Sequence, residues 1–306
     1  MMEKIHIDFM GKKYWWFALS GIVIIVGLIS LATRGLNLSI DFKGGSRLTA
    51  KFNRNTSVGE VRDIVAGAGY PDSVVQTVGD SRYQVTLPSL TADQEDAVIN
   101  ALNTKIGVSD KSWDSVGPTF GRQVVDSMLE AVILAWLIII VYVSARFEYK
   151  SAVATLVALI HDLLVTVGVY SLVGREVTTA TVAAVLTILG YSLYDTIIVF
   201  DRIRENAPRA RRGAYAEMVN NSIWEVMNRS IITSLLTLLP VACLFVFGGQ
   251  TLKDFAFALL IGIASGAYSS IFVAAPLLTL WKEREKRYRP QVSRSQRKAK
   301  VAKAGD

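Results

Sequence analysis

The chain has 306 residues, of which 51% are hydrophobic and 19% are charged. Soluble domains usually carry about 25% charged residues, so the composition argues against a soluble enzyme and favours a membrane protein. The single cysteine, Cys243, excludes an internal disulfide and suggests no metal cluster.

Six apolar segments are each long enough to cross a bilayer as a helix. In chain order they are predicted at 14–33, 124–143, 151–172, 178–200, 230–247 and 255–281. The first is interpreted as a retained span and not as a cleaved signal peptide, because its apolar core is longer than a typical h-region and no small-residue cleavage site follows it.

Positively charged residues are concentrated on one side of these spans. They precede the first span, occupy the loops after the second and fourth spans, and fill the segment after the sixth. The positive-inside rule therefore predicts that both termini lie in the cytoplasm. The predicted organisation is a cytoplasmic N-terminus at 1–13, a first transmembrane helix at 14–33, an extracytoplasmic domain at 34–122, transmembrane helices 2–6 within 123–281 and a basic cytoplasmic tail at 282–306.

The segment between the first two spans is predicted to fold as a small soluble domain, because its ten basic and ten acidic residues balance. Periodicity predicts strands at 46–52 and 113–120, helices at 57–68 and 91–106, and a hairpin of SVVQTV and RYQVTL around the turn at 79–81. The order β-α-β-β-α-β predicts a ferredoxin-like α+β domain.

Polar residues inside two of the spans are the main functional signal. A carboxylate in the bilayer costs about 2.5–3.5 kcal/mol on insertion scales, so Asp195 in the fourth span needs a compensating partner. It shares one helix face with Thr187 and Tyr191, at steps of four residues. Arg229 and Thr233 of the fifth span have the same spacing, and we expect Arg229 to be the counter-ion of Asp195, with Thr233 one turn deeper.

Two roles remain open for this pair. Asp195 and Arg229 could form a static contact that only fixes helix packing, or Arg229 could simply reach the interface. Alternatively, a helix movement that changes the distance between them would change proton occupancy, because a nearby guanidinium favours the ionised carboxylate. Intramembrane ionisable residues usually mark ion or proton paths, which favours the second role.

The third span carries a second polar signal, the dipeptide His161–Asp162. Metal chemistry is not expected there, because a site needs three or four ligands and the only other histidine is His6. Proton relay and interhelical hydrogen bonding both stay open for Asp162. In the last span, Gly262, Gly266 and Ser270 form a small-residue stripe typical of close helix packing. Residues 214–227 are predicted to form an amphipathic helix along the cytoplasmic surface.

The basic tail holds ten Lys/Arg and three acidic residues, enough to account for the net charge of +7. A basic segment can bind nucleic acid, but one that directly follows a membrane span is typical of an anchor on anionic lipid. We therefore expect an anionic lipid partner and no nucleic acid. The sequence has no GxxxxGK[ST] motif, so ATP is not expected as a direct energy source.

Several motifs occur in a characteristic order. LSIDFKGGS, with Asp41, Gly44 and Gly45, follows the first span, and VGPTFG, with Gly117 and Pro118, precedes the second. The HD dipeptide, YSLYDTIIVFDRIREN and NRSIITS follow in the third, fourth and fifth spans. Together, over nearly the whole chain, they resemble the SecF family, the smaller membrane subunit of the SecDF protein-translocation accessory complex.

The resemblance implies one six-span half of an RND-superfamily unit in the bacterial cytoplasmic membrane, with a separate SecD as the other half. It implies work with the SecYEG channel, the SecA motor and a YajC-type accessory subunit on exported polypeptides, using protons as the coupling ion and no cofactor. Asp195, Arg229 and Thr233 are the implied proton-coupling residues, and Thr187, Tyr191, His161 and Asp162 are candidate polar supports. No enzymatic activity is expected. The alternatives are an RND half-transporter for lipids or small molecules and a non-conducting translocon scaffold.

Overall fold

A computed structural model of the chain describes residues 7–78, 82–210, 214–285 and 287–288. Within these residues, six helices are long and apolar enough to cross a membrane: Lys13–Arg34, Pro118–Arg146, Tyr149–Val173, Thr179–Arg209, Tyr215–Phe247 and Leu252–Lys282. The prediction of a six-helix polytopic membrane protein is confirmed at this level.

The helices are α1 (Lys13–Arg34), α2 (Ile40–Lys43), α3 (Val58–Gly67), α4 (Ala92–Ile106), α5 (Pro118–Arg146), α6 (Tyr149–Val173), α7 (Thr179–Asn206), α8 (Tyr215–Phe247), α9 (Gln250–Ser269) and α10 (Ala275–Lys282). A 3₁₀ turn at Ala207–Arg209 follows α7, and a π-helical turn at Ser270–Ala274 joins α9 to α10. The strands are β1 (Asn37–Leu38), β2 (Gly45–Phe52), β3 (Val74–Val78), β4 (Arg82–Leu87), β5 (Val108–Val116) and β6 (Glu176–Val177).

The domain between the first two spans, named the outer domain after its predicted position, is built on an antiparallel sheet of order β3-β4-β2-β5. Side chains of β2 alternate across the sheet, so Leu48, Ala50 and Phe52 enter one core with residues of α3 and α4. Leu48 and Val61 are fully buried in that core, which gives the domain a hydrophobic centre separate from the membrane helices.

The last strand of this domain differs from the prediction of 113–120. It runs over Val108–Val116, and α5 begins at Pro118. Proline has no backbone N–H and is favoured in the first turn of a helix, so Pro118 starts the helix instead of extending the strand. The predicted turn at 79–81 lies outside the described residues.

Small residues set the closest contacts between membrane helices. A Cβ atom added to Gly27 of α1 would lie 2.8 Å from the Cα of Gly168 of α6, so the two backbones touch. The stripe predicted in the last span faces α7: Gly262 packs on Ile188, and the hydroxyls of Ser270 and Thr196 lie 2.9 Å apart. Small residues allow such an approach where lipid provides no hydrophobic driving force.

The amphipathic segment at 214–227 is not a separate surface helix, contrary to the prediction. It is the first part of α8, which runs without interruption from Tyr215 to Phe247. No glycine or proline separates the amphipathic part from the apolar part, since Pro240 lies well inside the span, so nothing in the local sequence breaks the helix between them.

Candidate functional site

Asp195 is buried between α7 and α8, with 3% of its surface exposed. The hydroxyl of Ser230 lies 2.6 Å from its Oδ1 and 2.8 Å from its Oδ2. One turn away, the hydroxyl of Tyr191 lies 3.2 Å from the Oγ of Ser234. The two antiparallel helices therefore meet along a polar seam made of Tyr191 and Asp195 on one side and Ser230 and Ser234 on the other.

The expected contact between Arg229 and Asp195 is not formed. The Arg229 guanidinium donates to the hydroxyl of Tyr194 at 3.1 Å, and both side chains lie on the exposed face of the chain. Neighbouring residues of a helix point about 100° apart, so placing Ser230 on Asp195 turns Arg229 outward. The short serine fits the closely packed seam between the helices.

The other predicted members of this site also point away from Asp195. The Thr233 hydroxyl donates to the backbone carbonyl of Arg229 at 2.8 Å, and the Thr187 hydroxyl donates to that of Ala183 at 2.9 Å. Of the residues grouped with Asp195 by spacing, only Tyr191 lies in the polar seam. Ser230 and Ser234 also lie four residues apart within NRSIITS. This spacing is the sequence signal that could have identified them as members of the seam.

A second polar cluster surrounds Asp162, which is fully buried in α6. Its carboxylate accepts hydrogen bonds from the hydroxyls of Ser192 on α7 at 2.5 Å, and of Ser265 and Ser269 on α9 at 2.7 and 2.8 Å. The Nδ1 of His161 lies 3.0 Å from the same carboxylate. Asp162 therefore joins three helices by hydrogen bonds, one of the two roles left open by the sequence.

His161 is buried, and its Nε2 has no hydrogen-bond partner among the described residues. The ring borders a largely apolar cavity of about 320 Å³ between α1, α6 and α9. Among the described residues, no group of three or more His, Cys, Asp and Glu side chains is arranged to hold a metal ion.

Helix α7 forms polar contacts with three neighbouring segments. Ser192 bonds to Asp162 of α6, Asp195 to Ser230 of α8, and Thr196 to Ser270 of the last span. The three residues lie within about one turn of α7, so a displacement of this helix would disturb its contacts with three neighbours together.

The N-terminal end of α7 is tied to the outer domain. Asp41 accepts hydrogen bonds from the backbone N–H and the hydroxyl of Thr179, at 3.0 and 3.2 Å, in the first turn of α7. A carboxylate is favoured at this end of a helix because it satisfies free N–H groups and the positive end of the dipole. Beside it, β1 pairs in parallel with β6 just before α7.

Glu176 of β6 forms a further link to the outer domain. It pairs with Arg47 of β2 and accepts a hydrogen bond from the side chain of Gln84 of β4 at 3.0 Å. Burial raises the pKa of the Glu176 carboxyl, while the Arg47 guanidinium and the Gln84 amide oppose that shift. These residues border a cavity of about 430 Å³ at the junction.

The glycines of LSIDFKGGS are required by the backbone. Gly44 and Gly45 have φ of +71° and +139°, a region that favours glycine. A Cβ atom on Gly44 would lie 2.9 Å from the Cα of Pro118, and one on Gly45 would lie 2.6 Å from the carbonyl oxygen of Leu87. Gly117 is the residue immediately before α5. The motif therefore lets the chain pass tightly between the outer domain and the start of α5.

The fold and the polar seam define a polytopic membrane subunit with a small outer domain and a buried carboxylate between two spans. Residues 97–284 match the family model "Protein export membrane protein SecD/SecF, C-terminal", and residues 29–55 match "SecD/SecF GG Motif". The chain belongs to the SecF family of protein translocase subunits, and its role is an accessory one in Sec-dependent protein export.

Individual relatives agree with this assignment. The chain is 38% identical to "Protein translocase subunit SecF" of Streptomyces coelicolor, over 91% of this chain and 77% of that protein. It is 38% identical to the protein of the same description from Alicyclobacillus acidocaldarius, over 92% of this chain and 94% of that protein. These matches extend across both the outer domain and the membrane helices.

Solved structures show the same fold within a longer chain. The crystal structure of Thermus thermophilus SecDF, described as a translocon-associated membrane protein, matches with a TM-score of 0.85 and 35% identity, over 93% of this chain. A structure of SecDF in a super-membrane-facing form matches with a TM-score of 0.65 and 32% identity, over 98% of this chain. This chain spans 40% of either SecDF chain.

Proposed function

We propose that the chain is one half of a proton-coupled machine in which SecD is the other half. Together they would use the proton motive force to drive or complete the movement of polypeptides across the cytoplasmic membrane. The observation that carries the proposal is Asp195, a carboxylate buried within a membrane span and held by a neutral serine hydroxyl. Such a carboxylate can exchange a proton when its surroundings change.

The exposed polar face beside Asp195 is the part of the chain where we expect a partner subunit to pack. Arg229, Tyr194 and Thr187 are exposed on this chain, although they belong to membrane spans. Neither Asp195 nor Arg229 takes part in an ion pair within the described residues. A charged residue facing lipid is costly, so we infer that SecD covers this face and supplies the carboxylate that meets Arg229. Thr233, which lies one turn deeper, is retained as a proton-coupling residue on the same face.

The remaining parts of the proposal concern location and partners. Both termini would be cytoplasmic, with the basic tail on anionic lipid. Most of that tail, 289–306, lies outside the described residues.

The domain between α1 and α5 would be ferredoxin-like, which its β-α-β-β-α-β order and its sheet order β3-β4-β2-β5 support. SecYEG, SecA and a YajC-type subunit would be the partners, exported polypeptides the cargo, and protons the coupling ion without a cofactor or enzymatic activity.

The test is Asp195→Asn in the complex with SecD, measured as protein export in cells and as proton conductance in vesicles. We expect both to fall at least about tenfold while SecD still co-purifies, because an amide cannot carry the proton. The matched control is Asp201→Asn on the same helix, where the carboxylate is exposed and paired with Arg146 at 3.0 Å; it should retain both activities.

One outcome would contradict the proposal directly, and a second would call for another variant. If the Asp195→Asn variant assembles with SecD and still exports protein and conducts protons at wild-type levels, the scaffold function is the correct one. Loss of SecD from the complex would show that Asp195 acts in assembly. In that case Asp195→Glu, which keeps an exchangeable proton, should restore conductance if the coupling proposal holds, and its failure would overturn the proposal.

A further inference from the structure

A cavity of about 250 Å³ lies at the end of the bundle where α7 and α10 finish. The turn between α5 and α6, the end of α7, the start of α8 and the end of α10 form its walls. We propose that this cavity binds the phosphate of an anionic phospholipid. The inference rests on the proposed contact of the basic tail with anionic lipid and gives it a site, but it is independent of proton coupling, because it concerns a separate site with a separate ligand.

The charges around the cavity favour an anion. Three basic side chains, of Arg204, Lys282 and Arg287, line it with one acidic side chain, of Glu148. Lys282 is paired with Glu148, so those two charges offset each other. Arg204 and Arg287 are exposed at the surface and have no ion-pair partner in the described part of the chain. Two guanidinium groups therefore remain for an incoming anion.

Guanidinium groups suit a phosphate, because their planar N–H donors match two phosphate oxygens at once. Part of the cavity wall is formed by the buried rings of Tyr215 and Tyr288, whose centroids are 4.5 Å apart. Phe147, Phe200 and Leu278 line the rest of the cavity. A charged rim next to an apolar wall fits a phosphate that is attached to a glycerol and its acyl chains.

The aromatic residues beside the cavity are of the kind found at the level of the lipid headgroups. Tyr149 and Trp281 stack with ring centroids 6.4 Å apart, and each is adjacent in sequence to a lining residue, Glu148 or Lys282. Tyrosine and tryptophan concentrate at the level of the headgroups, and basic pockets between membrane helices bind anionic headgroups. A zwitterionic choline lipid would bring a cation toward Arg204 and Arg287, so the proposed ligand is a phosphatidylglycerol-type lipid.

The test compares lipid retention by the full chain, counted by native mass spectrometry after exchange into phosphatidylglycerol or phosphatidylcholine. We expect phosphatidylglycerol to be retained in preference, and R204Q/R287Q to weaken its binding about tenfold or more, since each basic residue near the surface contributes to anionic-lipid binding. The control is R209Q/R284Q, which removes the same two charges from exposed residues of the same two segments that do not line the cavity.

Each other result has a defined meaning. Equal retention of the two lipids by the wild type would overturn the proposal. So would wild-type binding of phosphatidylglycerol by the double variant, provided that the variant is folded, as shown by a melting temperature in phosphatidylcholine equal to that of the wild type. If the double variant unfolds, the single variants R204Q and R287Q provide the second measurement: weaker phosphatidylglycerol retention by either supports the proposal, and wild-type retention by both overturns it. Displacement of the lipid by millimolar inorganic phosphate would overturn the lipid as the source of the anion.

Discussion

Ser230 holds the buried carboxylate of Asp195 through both of its oxygens, whereas Thr233 bonds only to the backbone of its own helix. We therefore predict that Ser230→Ala lowers the stability of the isolated chain by about 1 kcal/mol, because a buried polar group loses its partner. Thr233→Ala should cost less than about 0.5 kcal/mol. Thermal or denaturant unfolding in detergent measures both, and equal losses would contradict the seam described here.

The sequence indicated that Asp195 needs a partner within the membrane spans, but the partner it predicted was wrong, for a physical reason. Helical spacing identifies the polar face of a span, but Arg229 and Ser230 are adjacent and both polar, so periodicity alone does not choose between them. The choice depends on how closely the helices pack, which favours the smaller side chain. Ser265 and Ser269 also lie four residues apart, but spacing within one helix does not show which carboxylate of another helix they meet, so they were missed as partners of Asp162.

At the scale of elements, the contact between α1 and α6 depends on the absence of a side chain at Gly27. We predict that Gly27→Ala destabilises the chain by about 1–3 kcal/mol, because the new Cβ atom would meet the backbone of Gly168 and force the helices apart. Gly21→Ala on the same helix is the control, since a Cβ atom there has no heavy atom within 4 Å. Comparable unfolding of the two variants would show that helix propensity, not packing, controls this position.

The junction of β6 with the outer domain should respond to pH through Glu176. Burial raises the pKa of Glu176 above its ordinary value of 4.5, so the folded chain binds this proton more tightly than the unfolded chain. The stabilisation is complete below about pH 4.5 and is lost as pH rises through the folded-state pKa. We predict that the melting temperature of the wild type, relative to Glu176→Gln, falls as pH rises from 4.5 to 7.

The measurement is a pair of melting curves at each pH, taken in the same detergent. Glutamine keeps the shape of the side chain and can still contact Gln84 and Arg47, so it serves as the non-titrating reference. A difference in melting temperature that does not vary with pH, or that varies in the opposite direction, would mean that the ion pair with Arg47 outweighs the burial of Glu176.

Element boundaries show why hydropathy gave the number of spans and not their full lengths. Helix α8 begins fifteen residues before the apolar segment predicted at 230–247, because its first turns are amphipathic and lower the local hydropathy. Helix α5 begins at Pro118, ahead of the apolar run at 124–143. Hydropathy reports the part of a helix that lies in lipid, whereas hydrogen bonding continues into the flanking polar residues.

At the scale of the whole molecule, the outer domain and the buried carboxylate share one rigid element. Asp41 bonds to Thr179 at the N-terminal end of α7, and Asp195 lies sixteen residues further along the same helix. At 1.5 Å per residue, this is about 24 Å. A movement of the outer domain can therefore reach the buried carboxylate through one helix, which is the connection that the proposed proton coupling requires.

The pairing of β1 with β6 and the bond from Thr179 to Asp41 also constrain the order in which the chain can fold. The bond between Thr179 and Asp41 joins residues 138 positions apart. The sheet of the outer domain, in contrast, forms entirely within residues 45–116. Domains fold as units from the N-terminus during synthesis, and contacts distant in sequence form late. The outer domain can thus be complete while α5 and α6 are still being inserted. It becomes attached to α7 only when the ribosome has made that helix, so the mechanical connection is also a late step of biogenesis.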